Sequence, residues 1–236
     1  MINQKLWIKA HKKDFANSLI SESGAIPDGH PTAIFMAGLP GAGKTEFIKN
    51  LMSILEHKIV RLDMDEIATK IKGYKPEIAD LFRSGASELL NKTFDIVIKN
   101  QLDFIMDGTF SSKYAKNNIN RVIKHGYSVK VIYVLQDPKL AWFFTKEREK
   151  VEHRAIDQEG FIDTYFKTIE NIKDIFSSNN DIILDIIKKD SYNKIKEWIS
   201  NIQYEEIDKH INNCYTNKTL KEYLDGRRNQ APLNAK

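Results

Sequence analysis

The chain has 236 residues, which at about 100–200 residues per domain suits one α/β domain with extensions and suffices to bury a core without covalent staples. Its 36 Lys and Arg against 32 Asp and Glu leave a formal charge of +4, a balanced surface that argues against a polyanion-binding protein. Cys214 is the single cysteine, so neither an intramolecular disulfide framework nor a cysteine zinc cluster can form, in keeping with a reducing cytoplasm. No apolar stretch has the length of a signal peptide or a membrane span, and the expectation is a soluble, cytoplasmic protein without membrane contact.

In chain order, residues 3–21 have a loosely helical spacing of Leu6, Ile8, Phe15, Leu19 and Ile20, ended by breakers from Ser23 to Pro31. Five apolar segments follow, at 32–37, 59–63, 104–106, 129–135 and 182–187. Helical patterns lie among them at 43–56, 75–100 (with a break near Ser84 and Gly85), 111–125, 139–153 and 161–176. This βαβα alternation predicts a mainly parallel, five-stranded sheet between two helical layers, with ligands at the carboxyl ends of the strands. The last 45 or so residues read as polar and helical, with Trp198, Ile199, Ile202 and Tyr204 as packing residues and a flexible tail after Asp225. The predicted organisation is a leading helix and linker (1–30), a catalytic domain (31–188) and a helical extension (189–236).

Between the first strand and the helix after it stands Gly38-Leu39-Pro40-Gly41-Ala42-Gly43-Lys44-Thr45, a full match to G-x-x-x-x-G-K-[ST] in the strand–loop–helix setting that its mechanism requires. Gly41 and Gly43 permit backbone conformations in which successive N–H groups point at phosphate oxygens. The helix adds its positive end, Lys44 supplies a mobile charge for the β and γ phosphates of ATP, and the Thr45 hydroxyl is a ligand for Mg²⁺. An ordinary turn requires neither Lys44 nor Thr45, and the fold expected is that of a P-loop NTPase or kinase.

The second strand closes on Asp63-Met64-Asp65. Alternation puts both carboxylates on one side of a continuing strand, where either can orient an acceptor hydroxyl or take its proton. The competing reading makes one of them the cap of the following helix, and Asp65 before Ile67-Ala68-Thr69 has a cap pattern. Asp107 closes the third strand in Asp107-Gly108-Thr109, a place for a carboxylate that holds Mg²⁺ through water, although Asp-Gly is also a turn pair. Thr109 reads as a helix cap or substrate contact. After the fourth strand, Lys146, Arg148, Lys150, His153 and Arg154 alternate with acids, which as composition is a solvated helical face. In P-loop kinases this segment is a lid whose arginines close over the transferred phosphoryl group, and Arg148 and Arg154 are the candidates. Six residues apart, they reach one phosphate only if the helix bends or ends between them.

The ordered set formed by the phosphate loop, Asp63-Met64-Asp65, Asp107-Gly108-Thr109, Gly126-Tyr127 and Glu147-Arg148 followed by Arg154 resembles the zeta toxin family over roughly residues 31–176. The resemblance implies a kinase that uses ATP and Mg²⁺ to phosphorylate the 3′ hydroxyl of the amino sugar in UDP-N-acetylglucosamine and is restrained by a small helical antitoxin. It makes Asp65 the base, Lys44 and Thr45 ligands of phosphate and Mg²⁺, and Arg148 and Arg154 the lid arginines. Two positions depart from the pattern. The family's substrate-binding glutamate has no clear counterpart, since Asn91 stands in the aligned stretch and Glu88 is the nearest acid; and the frequent Glu-Gly-Thr is Asp107-Gly108-Thr109. The alternatives are a kinase of the same fold with another acceptor, such as a nucleoside, an antibiotic or an RNA end, and an ATP-binding switch without turnover.

Overall fold

The computed structural model describes residues 4–27, 29–152, 155–179, 181–211 and 214–226. In chain order its elements are α1 (Gln4–Ser23), β1 (Thr32–Ala37), α2 (Lys44–Ile54), β2 (Val60–Asp63), α3 (Met64–Thr69), a 3-10 turn (Pro76–Phe82), α4 (Arg83–Lys99), β3 (Phe104–Asp107), α5 (Ala115–Lys124) and β4 (Ser128–Leu135). There follow α6 (Pro138–Glu152), α7 (Gln158–Phe176), β5 (Ile183–Lys189), β6 (Ile195–Ile199), a second 3-10 turn (Tyr204–Glu206), α8 (Ile207–His210) and α9 (Asn217–Leu224). The strand order is β2-β3-β1-β4-β5-β6. β3 runs parallel to both β1 and β2, and β6 runs antiparallel to β5. The αβα class of a P-loop kinase is the one expected, with one strand more than the five predicted.

The chain divides into two compact units, each assembled from separated segments. The first comprises Met1–Phe35, Thr45–Gly108 and Asn118–Lys130. In it α1 and α3 both pack on α4. Its core gathers on Phe104, fully buried, which meets Phe35, Phe94 and Tyr127 edge to face at centroid distances of 5.7, 5.3 and 5.7 Å. The Tyr127 hydroxyl donates to the carbonyls of Val97 and Leu102, and burial, with the charge of Asp103, pushes its pKa up to about 12. Buried Asp103 accepts from the Thr32 N–H (2.6 Å) and pairs with His57 (2.8 Å), which ties the start of β1 to the loop before β2. That is how a buried carboxylate is tolerated.

The second unit comprises Met36–Lys44, Thr109–Asn117 and Val131–Lys236. α9 packs on α6 and α7, and the Tyr223 hydroxyl donates to Asp137 Oδ2 (2.9 Å), the residue whose other oxygen caps α6 through the N–H groups of Lys139 and Leu140. Asp185, fully buried on β5, accepts from the Trp198 indole (3.2 Å) and the Asn201 N–H (3.0 Å).

Four expectations need correction. The region after 189 is not wholly helical: it opens with β6, whose residues are almost all exposed and which is set by pairing with β5 and by the Asp190–Lys194 turn, without an apolar period of its own. Lys196 and Glu197 on this outermost strand suit an edge that must not recruit another chain. Trp198 and Tyr204, expected to pack, are about half exposed, whereas Ile202 is buried. The break predicted near Ser84 and Gly85 falls instead between Phe82 and Arg83, where the 3-10 turn that began at Pro76 gives way to α4; Gly85 is a buried residue of α4. α5 starts at Ala115, four residues late, because residues 109–114 are held as a loop. The predicted tail at 227–236 lies outside the described residues. Among those described, no helix is long and apolar enough to cross a membrane.

Candidate functional site

Residues 38–44 leave β1 and enter α2 as a loop with positive φ at Gly38 (132°), Gly41 (75°) and Gly43 (85°). At Gly41 the need is double: the left-handed φ disfavours a side chain, and a Cβ there would lie 2.2 Å from the Ala141 carbonyl oxygen and 2.7 Å from Thr145 Oγ1. At Gly43 a Cβ would meet the side-chain amide of Asn193 at 2.8 Å. Lys44, buried, curls back so that Nζ donates to the carbonyls of Gly38 (2.9 Å) and Leu39 (2.7 Å), bringing a cation inside the ring of the loop. Pro40 and Ala42 complete the turn, Ala42 through its N–H to the Leu39 carbonyl.

The loop after β3 is fastened to the same unit. The Thr109 carbonyl accepts from the Gly38 N–H (3.2 Å) and from Thr168 Oγ1 of α7 (2.9 Å), while the Thr109 hydroxyl meets Ser111 (2.7 Å). Asn171, one turn further along α7, donates to the Phe110 carbonyl (2.8 Å). Phe110 is buried with φ 66°, a left-handed conformation for a bulky residue that only such fastening sustains. Thr109 is thus the tether of the phosphate loop and not the cap of α5.

Ala141 and Thr145, the α6 residues against Gly41, are followed at the same helical spacing by Arg148, which shares their stripe one turn on and is exposed. Arg154 lies outside the described residues.

In the other unit Asp63 and Asp107 stand opposite each other on β2 and β3. Arg61, two residues before Asp63 and therefore on its side of the strand, donates from Nη2 to Asp63 Oδ2 (2.6 Å) and Asp107 Oδ2 (2.7 Å), and from Nη1 to Glu66 (3.3 Å). Asp63 Oδ1 accepts from the N–H groups of Asp65 (2.8 Å) and Glu66 (3.3 Å), so Asp63, not Asp65, is the N-cap of α3. Asp65, half-buried, is the second residue of that helix. Burial first, and the negative charge of Asp107 next, push the Asp63 carboxyl up to about 6 against the opposing pull of Arg61. Burial opposes the charge of Arg61, but its bond to Asp107 and the charges of Asp63, Asp107 and Glu66 outweigh it and hold the guanidinium above its ordinary pKa. Glu88 is not part of this corner's hydrogen bonding: it forms a half-exposed ion pair with Lys12 of α1 at 2.9 Å.

The family model for zeta toxin matches residues 17–201. The chain belongs to the zeta toxin family. No curated protein matches the sequence. Among solved structures, the chain is similar to one from the PezAT chromosomal toxin-antitoxin system of Streptococcus pneumoniae, with a TM-score of 0.64 and 17% identity over 91% of this chain and 85% of that one. It is also similar to AvrRxo1-ORF1:AvrRxo1-ORF2 with sulphate ions (TM-score 0.62, 14% identity, 84% of this chain and 66% of that one) and to the same pair with ATP (0.56, 14%, 84% and 64%). Likeness at such identity establishes the fold.

For this zeta toxin family member the cation that a P-loop kinase needs has a donor set of the right chemistry. Among the described residues no group of three or more His, Cys, Asp or Glu side chains is placed to hold a metal ion; Thr45 in the first turn of α2 offers a hydroxyl, a hard oxygen donor of the kind that Mg²⁺ takes. Asp107 remains a hard oxygen donor, with one oxygen engaged by Arg61. Sequence reasoning missed Arg61, although period two already set it beside Asp63. It also missed Thr145, Thr168, Asn171 and Asn193, for which the sequence carries no signal because each acts through a contact made by folding.

Proposed function

We propose that this zeta toxin family member is an ATP- and Mg²⁺-dependent kinase that phosphorylates a hydroxyl of a nucleotide-activated sugar, the 3′ hydroxyl of UDP-N-acetylglucosamine by family resemblance, and acts in the cytoplasm as the toxin of a toxin–antitoxin pair. The observation that carries the reading is the built phosphate loop: glycines that nothing larger can replace, with the Lys44 ammonium drawn in by the loop's own carbonyls at the head of α2. The names of the neighbouring structures, a toxin-antitoxin system and a pair solved with ATP, support the same class of activity and a small antitoxin as partner. The segment 31–188 is proposed as the catalytic domain.

Residues 38–44 present backbone N–H groups to the β and γ phosphates, and Lys44 moves onto them as a point charge. Thr45, and Asp107 through water, would hold Mg²⁺, which when bound would supply positive charge against the phosphates. Asp65 takes the proton of the acceptor hydroxyl as its oxygen forms a bond to the γ phosphorus and the bond from that phosphorus to the bridging oxygen of ADP breaks. Arg148, with Arg154, binds the equatorial oxygens as charge spreads over them. Asp63, Glu88 and Thr109 are the proposed acceptor contacts, Thr109 through its hydroxyl.

A second reading keeps the reaction and changes the acceptor. It is favoured by the Glu88–Lys12 ion pair and by the Arg61–Asp107 pair, which engage the acid nearest to the family's missing substrate glutamate and the acid proposed to hold Mg²⁺ through water. Incubation with ATP, Mg²⁺ and UDP-N-acetylglucosamine is expected to give, by mass spectrometry, a product heavier by one phosphate, lost in Lys44→Ala and reduced about 10²–10⁴-fold in Asp65→Ala. A phosphorylated species appearing only from a metabolite extract selects the second reading. ATP binding with no product from either source defeats both and leaves the switch.

A further inference from the structure

We propose that Arg61 is the positioning residue that holds the base Asp65 in place, acting through the cap of α3; the inference rests on the reading of Asp65 as base. α3 is only six residues long, too short to fix its own direction, and what fixes it is its first turn and the buried Ile67 and Ala68. Asp65 sits at the second helical position. The residues on either side of that position in the capping scheme, Asp63 at the cap and Glu66 at the third, are the two that Arg61 grips, with Nη2 on Asp63 (2.6 Å) and Nη1 on Glu66 (3.3 Å). Nη2 also takes Asp107 (2.7 Å), so one nitrogen bridges carboxylates from two adjacent strands, both of them at most one-sixth exposed.

Without that bridge two buried carboxylates face each other across β2 and β3 with nothing between them. The repulsion is relieved if Asp63 turns away, and that turn weakens its hold on the N–H groups of Asp65 and Glu66. The planar fork explains why arginine stands here. A lysine ammonium can bridge Asp63 and Asp107 but cannot extend a second, fixed arm to Glu66. The arrangement also carries a cost that a purely stabilising contact would not retain: Arg61 Nε is buried with no hydrogen-bond partner among the described residues.

The test compares Arg61→Met and Arg61→Lys with the wild type, alone and in an Asp65→Asn background. Arg61→Met is expected to lower kcat by about 10–100-fold with KM for ATP within twofold, and Arg61→Lys to recover part of the loss. In the Asp65→Asn background Arg61→Met should cost nothing further, since the group it positions is gone. Amide hydrogen exchange at Asp65 and Glu66 should speed up in Arg61→Met and less in Arg61→Lys. A kcat within twofold of wild type, a rise in KM for ATP matching the fall in kcat, or an additive loss with Asp65→Asn would each overturn the proposal while leaving the kinase reading intact. If the wild type transfers phosphate to no acceptor, the kinase reading is what has failed. Exchange then decides on Arg61 alone, and unchanged protection at Asp65 and Glu66 sinks it. Should Arg61→Met fail to fold, Arg61→Lys decides by the same measurements.

Discussion

In the phosphate loop the recognising groups belong mostly to the backbone. Three glycines set its path, α6 and Asn193 press on it from outside, and Lys44 fills it from within. In the carboxylate corner the groups are side chains on β2, α3 and β3, and the Arg61 guanidinium bonds to Asp63, Glu66 and Asp107. The first kind of site leaves no room for an added atom, because a Cβ at Gly41 or Gly43 would collide with α6 or Asn193. The second tolerates shape changes but not charge changes, because like charges have been gathered and need a counter-charge.

That contrast can be broken in order of size. Gly41→Ala adds one methyl group where φ is 75° and the Ala141 oxygen stands 2.2 Å away; left-handed strain and backbone overpacking together should cost about 3 kcal/mol or more, read as a fall in Tm. A change under about 1 kcal/mol would mean that α6 yields freely to the loop. Asp63→Asn should act through pH. Its carboxyl titrates at about 6 in the folded chain against 3.8 as its ordinary value, so the native state binds the proton more tightly. Stability contributed by this group is thus present below the ordinary value and is lost as pH rises towards about 6. Asparagine keeps a capping oxygen without the charge. The stability difference between variant and wild type should move in favour of Asp63→Asn by on the order of 3 kcal/mol over that window, and a difference that does not vary with pH would remove the buried-charge account. Glu88→Ala tests the smallest effect on stability. An ion pair with both members well exposed should be worth at most about 1 kcal/mol, while turnover with the preferred acceptor should fall if Glu88 contacts it; turnover within twofold of wild type would remove Glu88 from the acceptor site.

The sequence reveals the two kinds of site unequally. The phosphate loop was legible because glycine at fixed offsets states a backbone conformation directly, and the strands around it were legible as short apolar runs. β6 was not, since Ile195, Glu197 and Ile199 alternate without a buried face and the strand exists by pairing with β5. The break before α4 was assigned to Gly85, the residue with the poorer helix propensity, whereas packing keeps Gly85 inside the helix and Pro76 opens the 3-10 turn that ends before it. In the corner, Asp63, Asp65 and Asp107 could be found as acids at strand ends, but which of them caps α3 depended on how many residues β2 runs before turning. Local pattern does not fix that number.

The bond from Tyr223 to Asp137 gives the order of synthesis a meaning. The phosphate loop is synthesised before the helix that presses on it and carries Arg148, and that helix is capped by Asp137, whose partner Tyr223 stands 86 residues further along. A nascent chain that has not yet reached α9 therefore has its phosphate loop before α6 gains its bond to Tyr223.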